Sequence, residues 1–398
     1  MSLKWTRKGH EFDDIKDLLS SKKVLVIYGA GVFARDIIEL ANTSYHVIPW
    51  ELVVIDKDTK KQQMGYEGYP VLAPEEYIRG RREDDFFVIC AEEDNTKHMK
   101  QFLFDSGVER KIIWEYEFFL NTLLPVDYLN RTGKVLFISE NFIPSTICDL
   151  NCKSCLNFNP YIKKHIVDPV EQVKRDIDTF FSRIDLIYRF QLSGGEPFLY
   201  KDFVEIIQYI ADHYMNQIIR LETITNGTII PNEEICDVLS RNHVTLYLDD
   251  YRAALPEGRE IYAQVKEKLE QHNVKIIYNY VEKWMRLYDE TFDHSDDSEQ
   301  QLQHFYECCG NPFSTLRNGK LAGCNYAHYA MKAGIIDDDP DNYFDLEQNV
   351  NKWELLEFRL RYNKKGYVNF CSKCAGFKPA MENRSEIAAI QVERSNNE

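Results

Sequence analysis

The chain has 398 residues, 44% hydrophobic and 28% charged, with a net charge of −16; that length allows two or three domains with real cores. The acidic balance argues against a nucleic-acid partner, which needs a basic footprint, and no apolar run approaches the ~20 residues of a membrane span. The opening residues, Met1-Ser2-Leu3-Lys4-Trp5, lack the apolar stretch of a signal peptide, so a cytoplasmic protein is expected, with its ten cysteines used as metal ligands rather than disulfides.

Residues 1–125 read as a first α/β domain. Val24–Tyr28 is an apolar, β-branched run suited to a buried parallel strand. It enters Gly29-Ala30-Gly31-Val32-Phe33-Ala34 and a helix over Phe33–Thr43. Strands follow at Glu51–Ile55, Asp85–Ala91 and Lys111–Trp114, with a helix near Asn95–Ser106. Strands alternating with helices predict a parallel sheet. Gly29 and Gly31 permit a tight turn that brings a helix start to a phosphate, and Asp56 lies where an acid can meet ribose hydroxyls. The stretch Gly65-Tyr66-Glu67-Gly68-Tyr69-Pro70-Val71-Leu72 resembles one in the Rossmann-like N-terminal domains of bacterial sugar-nucleotide acetyltransferases and related polysaccharide-pathway proteins. That resemblance implies a nucleotide-sugar ligand held by Gly29, Gly31 and Asp56. A dinucleotide, or a docking domain that binds nothing, stands beside it as an alternative.

Residues 126–300 continue the rhythm. A strand at Lys134–Glu140 leads into Cys148-Asp149-Leu150-Asn151-Cys152-Lys153-Ser154-Cys155, three thiols at C-x3-C-x2-C spacing. Soft thiolates are the natural ligands of iron–sulfur clusters, and three of them leave one iron open. A zinc knuckle is the plainer alternative. A helix over Asp168–Ile184, a strand Leu186–Leu192, Ser193-Gly194-Gly195-Glu196-Pro197 and a helix Lys201–Tyr214 come next. Then follow a strand Ile218–Thr225 ending in Thr225-Asn226-Gly227, a helix Pro231–Arg241, a strand Val244–Leu248 ending near Asp249-Asp250-Tyr251, a helix Arg259–His272 and a strand Val274–Tyr280.

The cysteine triplet followed by Gly-Gly-Glu-Pro resembles the radical SAM superfamily, over roughly Lys134 to Val281. The resemblance implies a partial (β/α)6 barrel and a [4Fe–4S] cluster on Cys148, Cys152 and Cys155 that binds S-adenosylmethionine (SAM). It also implies SAM contacts from Gly194, Gly195, Glu196, Pro197, Thr225 and Asn226. Ser154 stands where many members carry an aromatic that packs on adenine, so Phe158 or backbone must serve. Asp249 and Asp250, at a strand's C-terminal edge, are candidates to touch substrate or ribose.

Residues 301–398 hold Cys308, Cys309, Cys324, Cys371 and Cys374. A hairpin turning at Asn318-Gly319 returns Cys324 towards Cys309, and Cys371-Ser372-Lys373-Cys374 adds two thiols. Four thiolates suit a second [4Fe–4S] cluster or zinc. The arrangement resembles the twitch extension of radical SAM enzymes, a shortened SPASM domain, with Cys308 and Cys309 competing for one ligand position. Cys90 and Cys236 read as plain buried residues, and the polar tail after Arg384 as frayed. Together these resemblances imply reductive SAM cleavage and hydrogen abstraction from a carbon of a carbohydrate or nucleotide-sugar, giving oxidation or epimerisation. A flavodoxin or ferredoxin would donate the electron. A peptide-modifying maturase and a zinc-stabilised binding protein are the rival readings.

Overall fold

The computed structural model describes residues 16–393, so the opening Met1–Trp5 lies outside it. The chain forms two compact units that divide between Lys134 and Val135. The first is built on five parallel strands: β1 (Val24–Tyr28), β2 (Glu51–Ile55), β3 (Val71–Leu72), β4 (Asp85–Ile89) and β5 (Ile113–Glu115). Their order is β3-β2-β1-β4-β5. Every residue of β1 and β4 is buried, as central parallel strands require, including Asp85 at the start of β4, whose carboxylate accepts from Tyr77 Oη and the Arg82 N–H. The order reverses at β1, so right-handed crossovers send helices to both faces. Helix Val32–Ala41 follows β1, and Glu93–Asp105 follows β4. Gly29 takes φ +108°, and a Cβ there would lie 2.5 Å from the Cys90 carbonyl oxygen, so no other residue fits that turn. A helix over Leu124–Thr132 closes the unit, ended by Gly133 in the left-handed conformation.

The second unit centres on β6 (Leu136–Phe142), β7 (Leu186–Leu192), β8 (Ile218–Thr225), β9 (Thr245–Asp250) and β10 (Lys275–Tyr280), all parallel and in simple order. An unreversed order places the intervening helices on one face. Phe190 of β7 packs there, 5.6 Å from Phe180 and 5.1 Å from Phe181 of helix Val170–Phe181. Strand alternation then turns Arg189 and Gln191 to the opposite face, where they are only partly buried. The sheet has five strands, not the expected six. After β10 the chain peels away, and β11 (Lys283–Trp284) pairs antiparallel with β15 (Glu386–Ile387) instead.

The remaining residues of this unit form a small three-stranded sheet from β12 (Thr315–Arg317), β13 (Lys320–Ala322) and β14 (Tyr343–Asp345). Asn318 and Gly319 both have positive φ, 51° and 68°, the turn that matches hairpin twist. The backbone N–H groups of Asn318 and Gly319 donate to the carboxylate of Asp176, at 3.0 and 2.8 Å, from helix Val170–Phe181. The expectation of a frayed tail after Arg384 fails. Ala388 and Ala389 are fully buried, because they close an apolar cluster with Cys152 and Tyr251, flanked by Trp284 and Leu150.

Candidate radical SAM site

The cysteine loop leaves the C-terminal end of β6, and its course is set by backbone contact with the segment after β7. The Gly195 N–H donates to the Ser145 carbonyl at 2.9 Å and the Glu196 N–H to the Ile147 carbonyl at 2.7 Å. A Cβ on Gly194 would stand 2.8 Å from the Ser145 oxygen, and one on Gly195 2.3 Å from the Ile147 oxygen. The two glycines are therefore required because the strand leading to Cys148 lies flush against them. Asn157 Nδ2 donates to the Gly194 carbonyl at 2.8 Å and ties the far end of the loop to the same place.

Glu196 is buried beneath this junction. Its carboxylate accepts from Thr225 Oγ1 and the Asn226 N–H, both at 2.9 Å, and from the Phe198 N–H at 3.2 Å. Burial pushes its acid up to about 8 against the pull of those donors. Asn226, fixed by Glu196, donates through Nδ2 to Cys148 Sγ at 3.7 Å and to Asp149 Oδ1 at 3.0 Å. Pro197, fully within the junction, starts a short turn of 3-10 helix. Glu196, Thr225 and Asn226 thus form one network that ends on the first cysteine.

Burial raises all three thiols of the loop, that of Cys152 up to about 12. Ligation would release their protons. Hydrogen-bond donors already face two of the sulfurs, from Asn226 to Cys148 and from Gln391 Nε2 to Cys152 at 3.4 Å. Among the described residues no three His, Cys, Asp or Glu side chains converge as the ligands of a single ion; a cubane asks instead for one thiolate per iron corner. Three thiols on one loop, one buried and two partly buried, with N–H groups directed at sulfur, fit three such corners.

Asp249 and Asp250 end β9 beside this loop. Asp249 is nearly sequestered, accepting from Tyr251 Oη at 2.6 Å and Asn279 Nδ2 at 2.8 Å, and burial pushes it up to about 6. Burial alone would raise Asp250, but the ion pair with Arg252 holds it below the usual carboxylate range. A cavity of about 260 Å³ opens here, lined by Asn226, Thr228, Asp250, Arg252, Arg259 and Tyr262. Phe158 is not available to a nucleotide. It is buried and packs on Phe370 and Tyr288, with centroids 5.4 and 6.2 Å away. Ser154, in place of an aromatic, donates to Glu386 of β15.

Sequence reading missed the polar face of the sheet. Register pairs Arg189 with Arg220, Gln191 with Glu222, Glu222 with Thr245 and Asp249 with Asn279, so these side chains share one face. Glu222 is fully buried between Arg220 Nη1 at 3.2 Å and Arg189 Nε at 3.7 Å, and accepts from Tyr247 Oη at 3.2 Å. Alternation of polar residues along β7 and β8 was the available signal.

A second group of thiols lies in the same unit. Cys324, Cys371 and Cys374 are buried, and burial pushes their thiols up, with the charge of nearby thiols, Cys309 foremost at Cys324 and Cys374, adding to it. The Ala327 and Gly376 N–H groups donate to Cys324 and Cys374 sulfur at 3.4 and 3.3 Å. Cys308 does not join them. It is exposed, with its sulfur 3.7 Å from His304 Nε2, because it sits one residue further back on helix Glu299–Cys308. Cys90 and Cys236 are buried in the two sheets' cores.

In the first unit, Asp56 is already engaged. Its carboxylate accepts from the Ala30 N–H at 2.8 Å and the Asp58 N–H at 2.9 Å and pairs with Lys61 at 3.0 Å. Burial would raise it, and these partners hold it below its usual value. Tyr66 Oη donates to the Gly31 carbonyl at 2.7 Å, so the glycine- and tyrosine-rich stretch folds over the β1 turn.

Residues 142–292 match the family described as Radical SAM superfamily. The chain carries a radical SAM domain. The family implies a [4Fe–4S] cluster and S-adenosylmethionine. Among solved structures, native anSMEcpe with bound AdoMet is 22% identical over 37% of this chain and 44% of its own, with a TM-score of 0.32. SuiB from Streptococcus suis, bound to S-adenosylmethionine, is 17% identical over 48% of this chain and 41% of its own, at 0.29. BtrN in complex with AdoMet and 2-DOIA is 16% identical over 64% of this chain and 99% of its own, at 0.39. The chain thus spans less than half the length of the first two. No curated protein matches it. Among the described residues no helix is long and apolar enough to cross a membrane.

Proposed function

We propose that the radical SAM domain makes this chain an enzyme that oxidises or epimerises a carbohydrate or nucleotide-sugar. The observation that carries the chemistry is the loop holding Cys148, Cys152 and Cys155, seated backbone to backbone on Gly194 and Gly195. Bound there, a [4Fe–4S] cluster with SAM supplies a one-electron reduction and an adenosyl radical able to take hydrogen from an unactivated carbon. Glu196 holds Thr225 and Asn226, and Asn226 orients the Cys148 side of the loop. We assign the cavity lined by Asp250, Arg252 and Arg259 to the polar end of SAM or substrate.

The substrate class rests on the polar face of the sheet. Arg189, Gln191 and Tyr247, partly buried on that face with Glu222 beneath them pairing with Arg189 and Arg220, offer donors and acceptors suited to hydroxyls and not to an apolar ligand. The strand order of the first unit, β3-β2-β1-β4-β5, supports reading it as Rossmann-like. We assign it nucleotide-sugar binding at Gly29–Gly31, with Asp56 presenting the Ala30 turn and leaving the ribose to other groups. Residues 301–398 form the auxiliary, twitch-like part, with Cys309, Cys324, Cys371 and Cys374 as ligands of a second cluster.

A peptide substrate is the second reading, favoured by one observation. β10 is an open edge strand whose Ile277, Tyr278 and Tyr280 are exposed, a surface on which an extended peptide adds as a strand. Anaerobic reconstitution decides the chemistry. About eight irons per chain, falling to about four when Cys148, Cys152 and Cys155 become alanine, are expected, with SAM cleavage lost in that variant. Cleavage that survives the triple change overturns the reading. A screen of nucleotide-sugars against peptides then separates the two substrate classes.

A further inference from the structure

The segment after Arg384 crosses the cysteine loop as a paired strand. The Lys153 N–H donates to the Ile390 carbonyl at 2.8 Å and the Val392 N–H to the Asn151 carbonyl at 2.9 Å. Asn151 is held twice more, its N–H by Gln391 Oε1 at 2.6 Å and its Nδ2 by the Val392 carbonyl at 2.8 Å. Gln391 Nε2 donates to Cys152 Sγ at 3.4 Å. At the other end of the segment Glu386 accepts from Ser154 and from Lys153 Nζ at 3.3 Å, and pairs with Arg286 at 3.3 Å. Ala388 and Ala389 fill the apolar space between, against Cys152 and Tyr251.

Each residue from Asn151 to Ser154 therefore has a partner in residues 386–392, and none of these partners belongs to the sheet that carries the loop. An N–H directed at a ligating sulfur stabilises the added electron of the reduced state, because hydrogen bonds to sulfur are one of the settings of cluster potential. We propose that residues 386–392 are a strap that positions the Cys152 side of the loop, and that Gln391 is a positioning residue that raises the reduction potential of the cluster held there. This inference rests on the radical SAM reading above.

Two variants of the full chain separate the parts. Gln391 is exposed, so its replacement leaves the core intact. Gln391→Leu removes both the acceptor for Asn151 and the donor to Cys152. Gln391→Glu keeps the acceptor and removes the donor. Amide exchange in the metal-free protein reads the strap: slow exchange at Asn151 and Lys153, with Asn151 roughly tenfold faster in Gln391→Leu and unchanged in Gln391→Glu, is expected. Potentiometric titration of the reconstituted protein, followed by the SAM-sensitive electron paramagnetic resonance signal, reads the tuning. A more negative midpoint in both variants, at unchanged iron content, is expected. Fast exchange at both amides in the unaltered protein overturns the strap, and an unmoved midpoint in both variants overturns the role of Gln391. Protected amides in a chain that takes up no iron and cleaves no SAM would sink the radical SAM reading and the tuning with it, while leaving the strap in place.

Discussion

At the scale of single residues, the glycines separate into those demanded by packing and those left free. A methyl at Gly195 would press on two carbonyl oxygens, at 2.3 Å from Ile147 and 2.5 Å from Thr146. Backbone cannot retreat as a side chain does, so the loop must lift from its seat. Gly195→Ala should cost about 1–3 kcal/mol in urea unfolding, and the protein should retain fewer irons after reconstitution. A Cβ at Gly31 meets nothing within 4 Å. Gly31→Ala should therefore leave stability unchanged, and any loss of nucleotide-sugar affinity by calorimetry would come from the ligand alone. Unchanged affinity in a bulkier Gly31→Leu would remove that ligand from the first unit. The motif Gly194-Gly195-Glu196-Pro197 was legible in sequence, but the partner that makes it necessary, the backbone of Ser145–Ile147, was not. Gln391 and Glu386 were invisible for a related reason. Their meaning depends on a chain segment more than 230 residues away in sequence folding back onto the loop, and polar composition alone reads as a tail.

At the scale of elements, the second unit joins its parts through buried carboxylates. Asp176 on helix Val170–Phe181 accepts both N–H groups of the Asn318-Gly319 turn. Asp176→Ala leaves the buried Gly319 N–H unpaired and takes the partner of the part-buried Asn318 N–H, at about 1–3 kcal/mol in all. Because the hairpin leads into Cys324, the variant should also lose iron from the second thiol group while the first keeps its own. Equal iron loss from both groups would mean general unfolding. Glu140 on β6 accepts from Ser314 and faces Arg359 of helix Lys352–Arg359. Burial pushes Glu140 up to about 7, Ser314 and Arg359 notwithstanding. A carboxyl raised in the folded state binds its proton there more tightly than in the unfolded chain. Its contribution is complete below the unfolded value of 4.5 and is lost as pH rises to about 7, up to roughly 3 kcal/mol in all. Glu140→Gln should flatten stability between those limits, and an unchanged slope would place the pH dependence elsewhere. Most strands were legible from apolar runs, β1, β2, β7 and β8 to the residue, because buried parallel strands need nothing else. Helices Glu299–Cys308, Asn325–Lys332 and Lys352–Arg359, and the pairs made by β11, β14 and β15, were not legible. They are short and stabilised by tertiary contacts, which leave no period in the sequence.

At the scale of the whole molecule, the two sheets solve different problems. The first reverses its order at β1 and covers both faces, so that β1 and β4 are buried throughout. Such a sheet closes its own core. The second runs in one direction and covers one face, which leaves Arg189, Gln191 and Tyr247 partly buried and β10 open. A sheet of that kind needs further chain to finish it, and β12, the second thiol group and the strap all supply it from residues beyond 300. The consequence is an asymmetry in dissection. A fragment ending at Lys134 should fold alone, with a cooperative thermal transition by circular dichroism, because its division from the rest falls just after the Gly133 cap. The converse cut within the second unit, ending the chain after residue 300, removes the partners of Asn151, Lys153, Ser154 and Glu140 at once. That fragment should be aggregation-prone and take up no stable iron at Cys148, Cys152 and Cys155. A well-folded, iron-loaded fragment would mean that the cysteine loop is held by the sheet and Gly194–Gly195 alone, and that the chain beyond residue 300 serves the second thiol group and the substrate without supporting the first.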